Sequence, residues 1–195
     1  YGSVTNIPGE TAKCWLTRNL GADQQPATVS DAAEAAAGWY WQFNRKQGYK
    51  HDGTARTPSS AWVTSISENA EWIAANDPCA IEVGSTWRIP TNSEWMNVDN
   101  AGGWSNWNTV FSSNLKLHAA GMLLSASGNL SARGITGNYW SSRQSANASA
   151  SALNFSSSSS AVTTSDAKAG AYPIRCLRDD CTIPAAPTTG SHSSA

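Results

Sequence analysis

The sequence predicts an α+β domain, and three observations carry that reading. Two stretches begin and end like helices: 30–37 is Ala-rich and stopped by Gly38, and the stretch after Pro90 opens on Thr91 with Glu94 and stops at Gly102 and Gly103. The run Trp39-Tyr40-Trp41-Gln42-Phe43, and a series of short apolar runs separated by glycine after His118, read as strands. The chain of 195 residues is 40% hydrophobic, enough for one core, and all ten tryptophans precede residue 141, so the heavy packing falls in the first two thirds.

Taken in order, Cys14 to Leu20 is a predicted strand ended by Gly21. In the helix of 30–37, Ser30 or Asp31 is the N-cap and Gly38 the stop. The aromatic strand 39–43 is followed by a polar loop over 48–58. Ser65 with Glu68 resembles a capping box before a helical stretch at 70–75, and Asn76-Asp77-Pro78 reads as a helix stop. In Trp87-Arg88-Ile89-Pro90-Thr91-Asn92-Ser93-Glu94-Trp95, Pro90 ends an extended piece, Thr91 caps a helix, Glu94 reaches back to the Thr91 N–H, and Trp95 with Val98 faces the core. Trp104 and Trp107 are the tryptophans expected to be partly exposed. Strands follow at 118–125, 128–132, 138–142, 151–156, 159–164 and 171–178.

A net charge of −1 with 14% charged residues gives no field to attract nucleic acid or an anionic membrane, and no apolar run is long enough to cross a bilayer. The chain begins at Tyr1 as if cut from a longer polypeptide, and 181–195 reads as a Pro/Ser/Thr-rich linker or tail after a domain of residues 1–180. Cys14, Cys79, Cys176 and Cys181 lack zinc-site spacing; an even count in an exported chain points to disulfides. Three pairings exist and the sequence does not choose among them; Cys79 with Cys176 and Cys14 with Cys181 is the favoured one.

Between Ser141 and Ala171, 19 of 31 residues are Ser or Ala, framed by Gly-Asn-Tyr-Trp-Ser-Ser at 137–142 and Ile-Arg-Cys-Leu-Arg-Asp at 174–179. A surface chosen for strand stability would carry Val, Thr and Tyr, so packing does not decide the residues here. The stretch reads as a display surface on a rigid frame. In Ser151-Ala152-Leu153-Asn154-Phe155-Ser156, Leu153 and Phe155 are expected to face the core and Ala152, Asn154 and Ser156 a partner.

The motifs at 87–95, 137–142 and 174–179, with Leu-His-Ala-Ala-Gly at 117–121, resemble those of the Fibrobacter major paralogous domain family, a formylglycine-generating-enzyme-like branch of the C-type lectin fold. The resemblance covers roughly residues 14–179. It implies two main helices around a twisted antiparallel sheet with long irregular loops. Within that fold the chain is similar to variable proteins of diversity-generating retroelements, in which misread template adenines convert Asn codons to other codons. That route yields Ser, Thr, Ala, Asp, Gly, Tyr or Ile and cannot yield Gln or Lys, so Gln144 and Lys168 are expected to be scaffold, as are Gly128, Leu130, Arg133, Gly134, Gly137, Trp140, Leu153, Phe155 and Arg175.

The implied ligand-binding surface comprises Ser125, Ser127, Asn129, Ser131, Thr136, Asn138, Ser145, Ala146, Asn147, Ala148, Ser149, Ala150, Ala152, Asn154, Ser156, Thr163, Thr164, Ser165, Asp166, Ala169, Ala171 and Tyr172. Its partner would be a protein or glycan on another cell, met by several copies on a phage tail fibre or a bacterial surface carrier, because a face with few aromatic anchors binds weakly alone. A non-diversified surface adhesion or structural domain of the same fold is the alternative. The reading is not of an enzyme: His51, His118 and His192 are isolated, with His118 expected to be a hydrogen-bonded core or rim residue, and no nucleophile-base-acid set can be assembled. Cys176 and Cys181 share the five-residue separation of the copper-binding pair of formylglycine-generating enzymes, but Cys176 resembles that family's structural closing-strand cysteine. No cofactor is assigned. Calcium, held by many C-type lectin relatives, finds only the single carboxylates Asp23, Asp77 and Asp99 here, without a Glu-Pro-Asn or Gln-Pro-Asp triplet.

Overall fold

The computed structural model describes residues 1–181; the tail predicted at 181–195 lies, apart from Cys181, outside the described residues, as does His192. Strand β1 (Ser3–Val4) pairs with β2 (Cys14–Leu16), which is shorter than the predicted 14–20. Helix α1 (Glu34–Ala37) is a single turn, because Asp31 turns its carboxylate to the amides of Ala27 and Ala33, both at 2.9 Å, and the helix begins only after them. Strand β3 (Tyr40–Gln42) is the aromatic strand, and β4 (Gly48–His51) and β5 (Arg56–Thr57) extend its sheet where a polar loop was predicted. Gly48 makes that pairing feasible, since a Cβ there would stand 2.7 Å from the Trp39 ring and 2.8 Å from Trp41.

The predicted helix at 70–75 is absent apart from a 3-10 turn at Ala74–Asn76. The Glu68 carboxylate takes the Arg45 guanidinium and the Asn44 amide, each at 3.0 Å, instead of closing a capping box. Asn76-Asp77-Pro78 opens a helix rather than stopping one. Asp77 Oδ1 accepts from the Cys79 amide at 2.8 Å, and Pro78 occupies the first position of α2 (Pro78–Glu82), where no N–H is needed. Helix α3 (Asn92–Ala101) has the predicted box: Thr91 Oγ1 accepts from the Glu94 amide at 3.2 Å, and Glu94 Oε2 accepts from the Thr91 amide at 2.7 Å. The unpredicted α4 (Trp107–Ser112) is capped by Asn106 and Thr109 in the same reciprocal way, and Trp104 before it is buried rather than exposed.

The remaining strands are β6 (Met122–Leu123), β7 (Leu130–Ser131), β8 (Gly137–Ala146), β9 (Ser149–Phe155), β10 (Ser160–Ala167), β11 (Ala171–Pro173) and β12 (Leu177–Arg178). Among the described residues the twelve strands form three antiparallel sheets, ordered β1-β2-β12, β10-β9-β8 and β5-β4-β3-β11-β6-β7. The architecture is α+β with four short helices among the described residues. One apolar cluster (Trp15, Trp95, Val98, Leu117) packs Tyr139, Leu153 and Phe155 against α3. A second (Trp41, Phe43, Trp72, Tyr172) covers the opposite face of β8 and β9 through Trp140, Ala150 and Ala152. Strand β9 is therefore buried on both faces along most of its length. Gly137 keeps the motif around it tight, since a Cβ would sit 2.1 Å from the Phe155 ring.

Both disulfides follow the favoured pairing, Cys14–Cys181 and Cys79–Cys176, with Cα atoms 5.1 and 5.7 Å apart. They fit an oxidising environment, and no helix among the described residues is long and apolar enough to cross a membrane. Arg175, fully buried, braces the frame by donating to the Leu16 and Leu115 carbonyls and to Asn19 Oδ1. Its burial pushes the guanidinium pKa down to about 10.

Candidate binding surface

The long β8–β9–β10 sheet carries most of the candidate residues. Its β8–β9 tip exposes Ser145, Ala146, Asn147 and Ala148, with Ser149 half-buried. Backbone groups and the two expected scaffold residues hold this tip. Lys168 Nζ donates to Gln144 Oε1 at 2.9 Å and to the Glu68 carbonyl at 2.7 Å, while Gln144 Nε2 donates to Asn69 Oδ1 at 2.6 Å. The Glu68 amide donates to the Asn147 carbonyl at 2.9 Å, and the Lys168 amide to the Ala148 carbonyl at 3.0 Å. Burial of Lys168 lowers its pKa, against the nearby Glu68 and Glu71 charges, which raise it. The side chains of 145–148 are left out of these bonds, so they are free to differ while the tip stays in place.

At the β10 bulge, four candidate residues converge. The register shifts between Thr163 and Asp166, which puts exposed Thr164 and Ser165 at the bulge and turns Asp166 back toward β11. The Asp166 carboxylate accepts from Tyr172 Oη at 2.9 Å, from Asn154 Nδ2 at 3.1 Å and from Thr163 Oγ1. Asn154 Nδ2 also donates to Thr163 Oγ1 at 2.6 Å. Burial, and then the Asp166 charge, push the Tyr172 hydroxyl upward, so it stays a proton donor throughout the physiological range.

The β6–β7 turn is pinned by its carbonyls. Trp62 Nε1 donates to the Ser125 carbonyl at 2.8 Å, and Arg56 donates to that of Ser127 at 3.0 Å. Ser127 and Asn129 are exposed; Ser125 and Ser131 are half-buried. Thr136 is half-buried and accepts from Asn138 Nδ2 at 3.1 Å. Ser156 is half-buried, its hydroxyl shared with Ser158 and Ser159, and its carbonyl accepts from the Trp107 amide at 2.7 Å.

Six residues assigned to the surface are buried: Asn138, Ala150, Ala152, Ala169, Ala171 and Tyr172. Strict in-out alternation placed Ala152 outside, but Trp140 stacks on Tyr172 at 4.1 Å on that face and closes it off. Within the same Ser/Ala stretch, Arg143, Ala161 and Ser157–Ser159, outside the expected set, are exposed. Arg143 is the one charged side chain of 125–172 without a hydrogen bond or ion pair among the described residues. Arg133, by contrast, braces the frame through Tyr40 Oη at 3.0 Å and the His51 carbonyl at 2.7 Å. Most accessible residues thus fall at the two ends of one sheet, around 145–148 and 156–159, with the β10 strip between them, while Ser127 and Asn129 sit at the β6–β7 turn of another sheet.

The contrast between buried and accessible positions gives a direct prediction. Ala152→Asn, which overpacks a closed face, is expected to cost about 2–3 kcal/mol, and Thr164→Asn less than about 0.5 kcal/mol, in urea unfolding. Equal costs would mean that the burial at Ala152 does not constrain the strand.

His118 is fully buried with neither ring nitrogen hydrogen-bonded, so the expected hydrogen-bonded histidine is not found. Among the described residues, no group of three or more His, Cys, Asp or Glu is placed to hold a metal ion. No family model, curated protein or solved structure matches the chain.

Proposed function

We propose that this chain is a ligand-binding domain of the C-type lectin fold, used for receptor recognition or adhesion, whose accessible positions within 125–172 are diversified by a retroelement. One observation carries the reading: the tip at 145–148 is held through backbone atoms and fixed neighbours, leaving its side chains outside the packing, and the turn at 125–129 is pinned at the Ser125 and Ser127 carbonyls, with the Ser127 hydroxyl as the one candidate side chain bonded within it. A marginally stable domain tolerates many substitutions only where they are uncoupled from its core. The accessible side chains are short, polar and nearly uncharged, which suits a protein or glycan partner on another cell better than nucleic acid. Binding by one copy is weak, so the domain acts through several copies on a fibre or surface carrier. It is a binding domain rather than an enzyme, and its place is extracellular, on a bacterial surface or a phage particle.

Sequencing the gene across a population of its source tests this. Substitutions are expected to concentrate at the codons of exposed residues, such as 127, 129, 145–148, 164 and 165, matching adenines of a nearby near-identical repeat. They are expected to spare codons 144, 150, 152 and 168. An invariant stretch with no repeat nearby would leave the alternative, a fixed adhesion or structural domain of the same fold.

A further inference from the structure

The outer edge of β10 is open, and the other sheet edges are not. The opposite edge of the same sheet, along β8, is clothed: Ser142 donates to the Pro90 carbonyl at 2.8 Å and accepts from the Trp72 amide at 2.9 Å, Gln144 N donates to Glu71, and the Asn147 carbonyl accepts from Glu68. The edges of the other two sheets, β1, β12, β5 and β7, are each two residues long. β10 spans eight residues and carries no Lys, Arg or Pro, with Asp166 its single charge. Among the described residues, the backbone of 161–165 makes no hydrogen bond outside its ladder with β9. An edge of this kind is a template for another strand unless charge, proline, a bulge or a cover blocks it, and the bulge between Thr163 and Asp166 confines the regular stretch to residues 160–163.

The side chains along it explain what the edge is for. Thr163, Thr164, Ser165 and Asp166 lie on this strand and lack the aromatic anchors from which interfaces draw most of their energy. Main-chain hydrogen bonds supply affinity without regard to sequence, leaving side chains to set specificity. We propose that the ligand is an extended polypeptide segment that adds to the sheet antiparallel or parallel to β10, with the accessible residues of β10 reading its side chains. This rests on the binding-surface reading above and selects a protein partner over a glycan.

The test uses the whole chain and a phage-displayed library of random linear peptides as probe. Enriched peptides are expected to shift the amide resonances of β10. N-methylation at alternate residues of such a peptide is expected to weaken binding roughly tenfold per blocked donor, with little effect at the intervening residues. Ala161→Lys and Thr164→Lys, both at exposed positions, are expected to abolish binding while thermal unfolding shows them folded. The proposal is overturned if binding ignores N-methylation, or if no peptide is enriched. It is equally overturned if the edge serves a concentration-dependent dimer that Ala161→Lys dissolves. Binding confined to glycans and untouched by the Lys variants would sink the strand-addition proposal and leave the binding-surface reading standing. An invariant gene would sink diversification and leave the peptide result intact.

Discussion

Replacing Cys79 and Cys176 together by alanine is expected to lower stability by about 5 kcal/mol. The bond closes a loop of 97 residues, and cross-linking a loop of that size removes roughly this much chain entropy from the unfolded state. Small domains hold about 5–15 kcal/mol in total, so the variant should be marginal at room temperature. Both sulfurs lie in the cluster formed by Trp41, Phe43, Trp72 and Trp140, which adds a packing loss to the entropic one. Urea unfolding of the oxidised protein and the double variant measures it. A loss below about 2 kcal/mol would mean that the tryptophan cluster alone holds α2 against the closing segment of the chain.

The second large effect is acid lability centred on His118. Burial, reinforced by the positive charge of Arg175, holds the imidazole near a pKa of about 3, against 6.5 in the unfolded chain; Asp31 opposes this and Arg133 adds to it. As pH falls below 6.5 the unfolded chain takes up the proton first, so His118's contribution is fully present above 6.5 and is lost progressively down to about 3. The expected slope in that window is roughly 1.4 kcal/mol per pH unit. Glu94 acts in a lower window. Although burial raises its pKa, hydrogen bonds from Arg88 and Lys13 hold it down to about 2, so its stabilisation is lost as pH falls from 4.5 toward that value. His118→Phe is therefore expected to flatten the urea midpoint between about pH 6.5 and 4.5 and to leave the steeper loss below. If the slope survives the substitution, the group responsible is not this imidazole.

The legible parts of the chain were those in which one local signal decides the outcome. Thr91 and Glu94 specify both bonds of a cap within four residues, and α3 forms where they predict. The apolar alternation of Leu153 and Phe155 placed β9 and one of its faces correctly. Where a residue's partner comes from a distant segment, the local signal misleads. Glu68 resembles a capping residue and instead serves Arg45 and Lys168; Asp77-Pro78 resembles a stop and begins a helix, because its carboxylate also receives the Ile89 amide at 3.0 Å. The same holds for the candidate surface. Alternation says which way Ala152 points, and only the position of Tyr172, twenty residues on, says that something covers it. The β10 bulge and its open edge are properties of sheet order, which no short window of residues encodes.

The pairing of Cys14 with Cys181 has a mechanical meaning. The two residues stand side by side although 167 positions separate them, and among the described residues two-residue β1 is the one strand or helix outside the span they close. Were the domain carried in a longer fibre, a pull entering before Cys14 and leaving after Cys181 would run across a single covalent bond. The β8–β9–β10 sheet hangs beside that load path rather than in it. Tension between carrier and anchor would therefore pass by without unzipping the strands of the proposed binding surface, and reduction of that one bond would route the same tension through them.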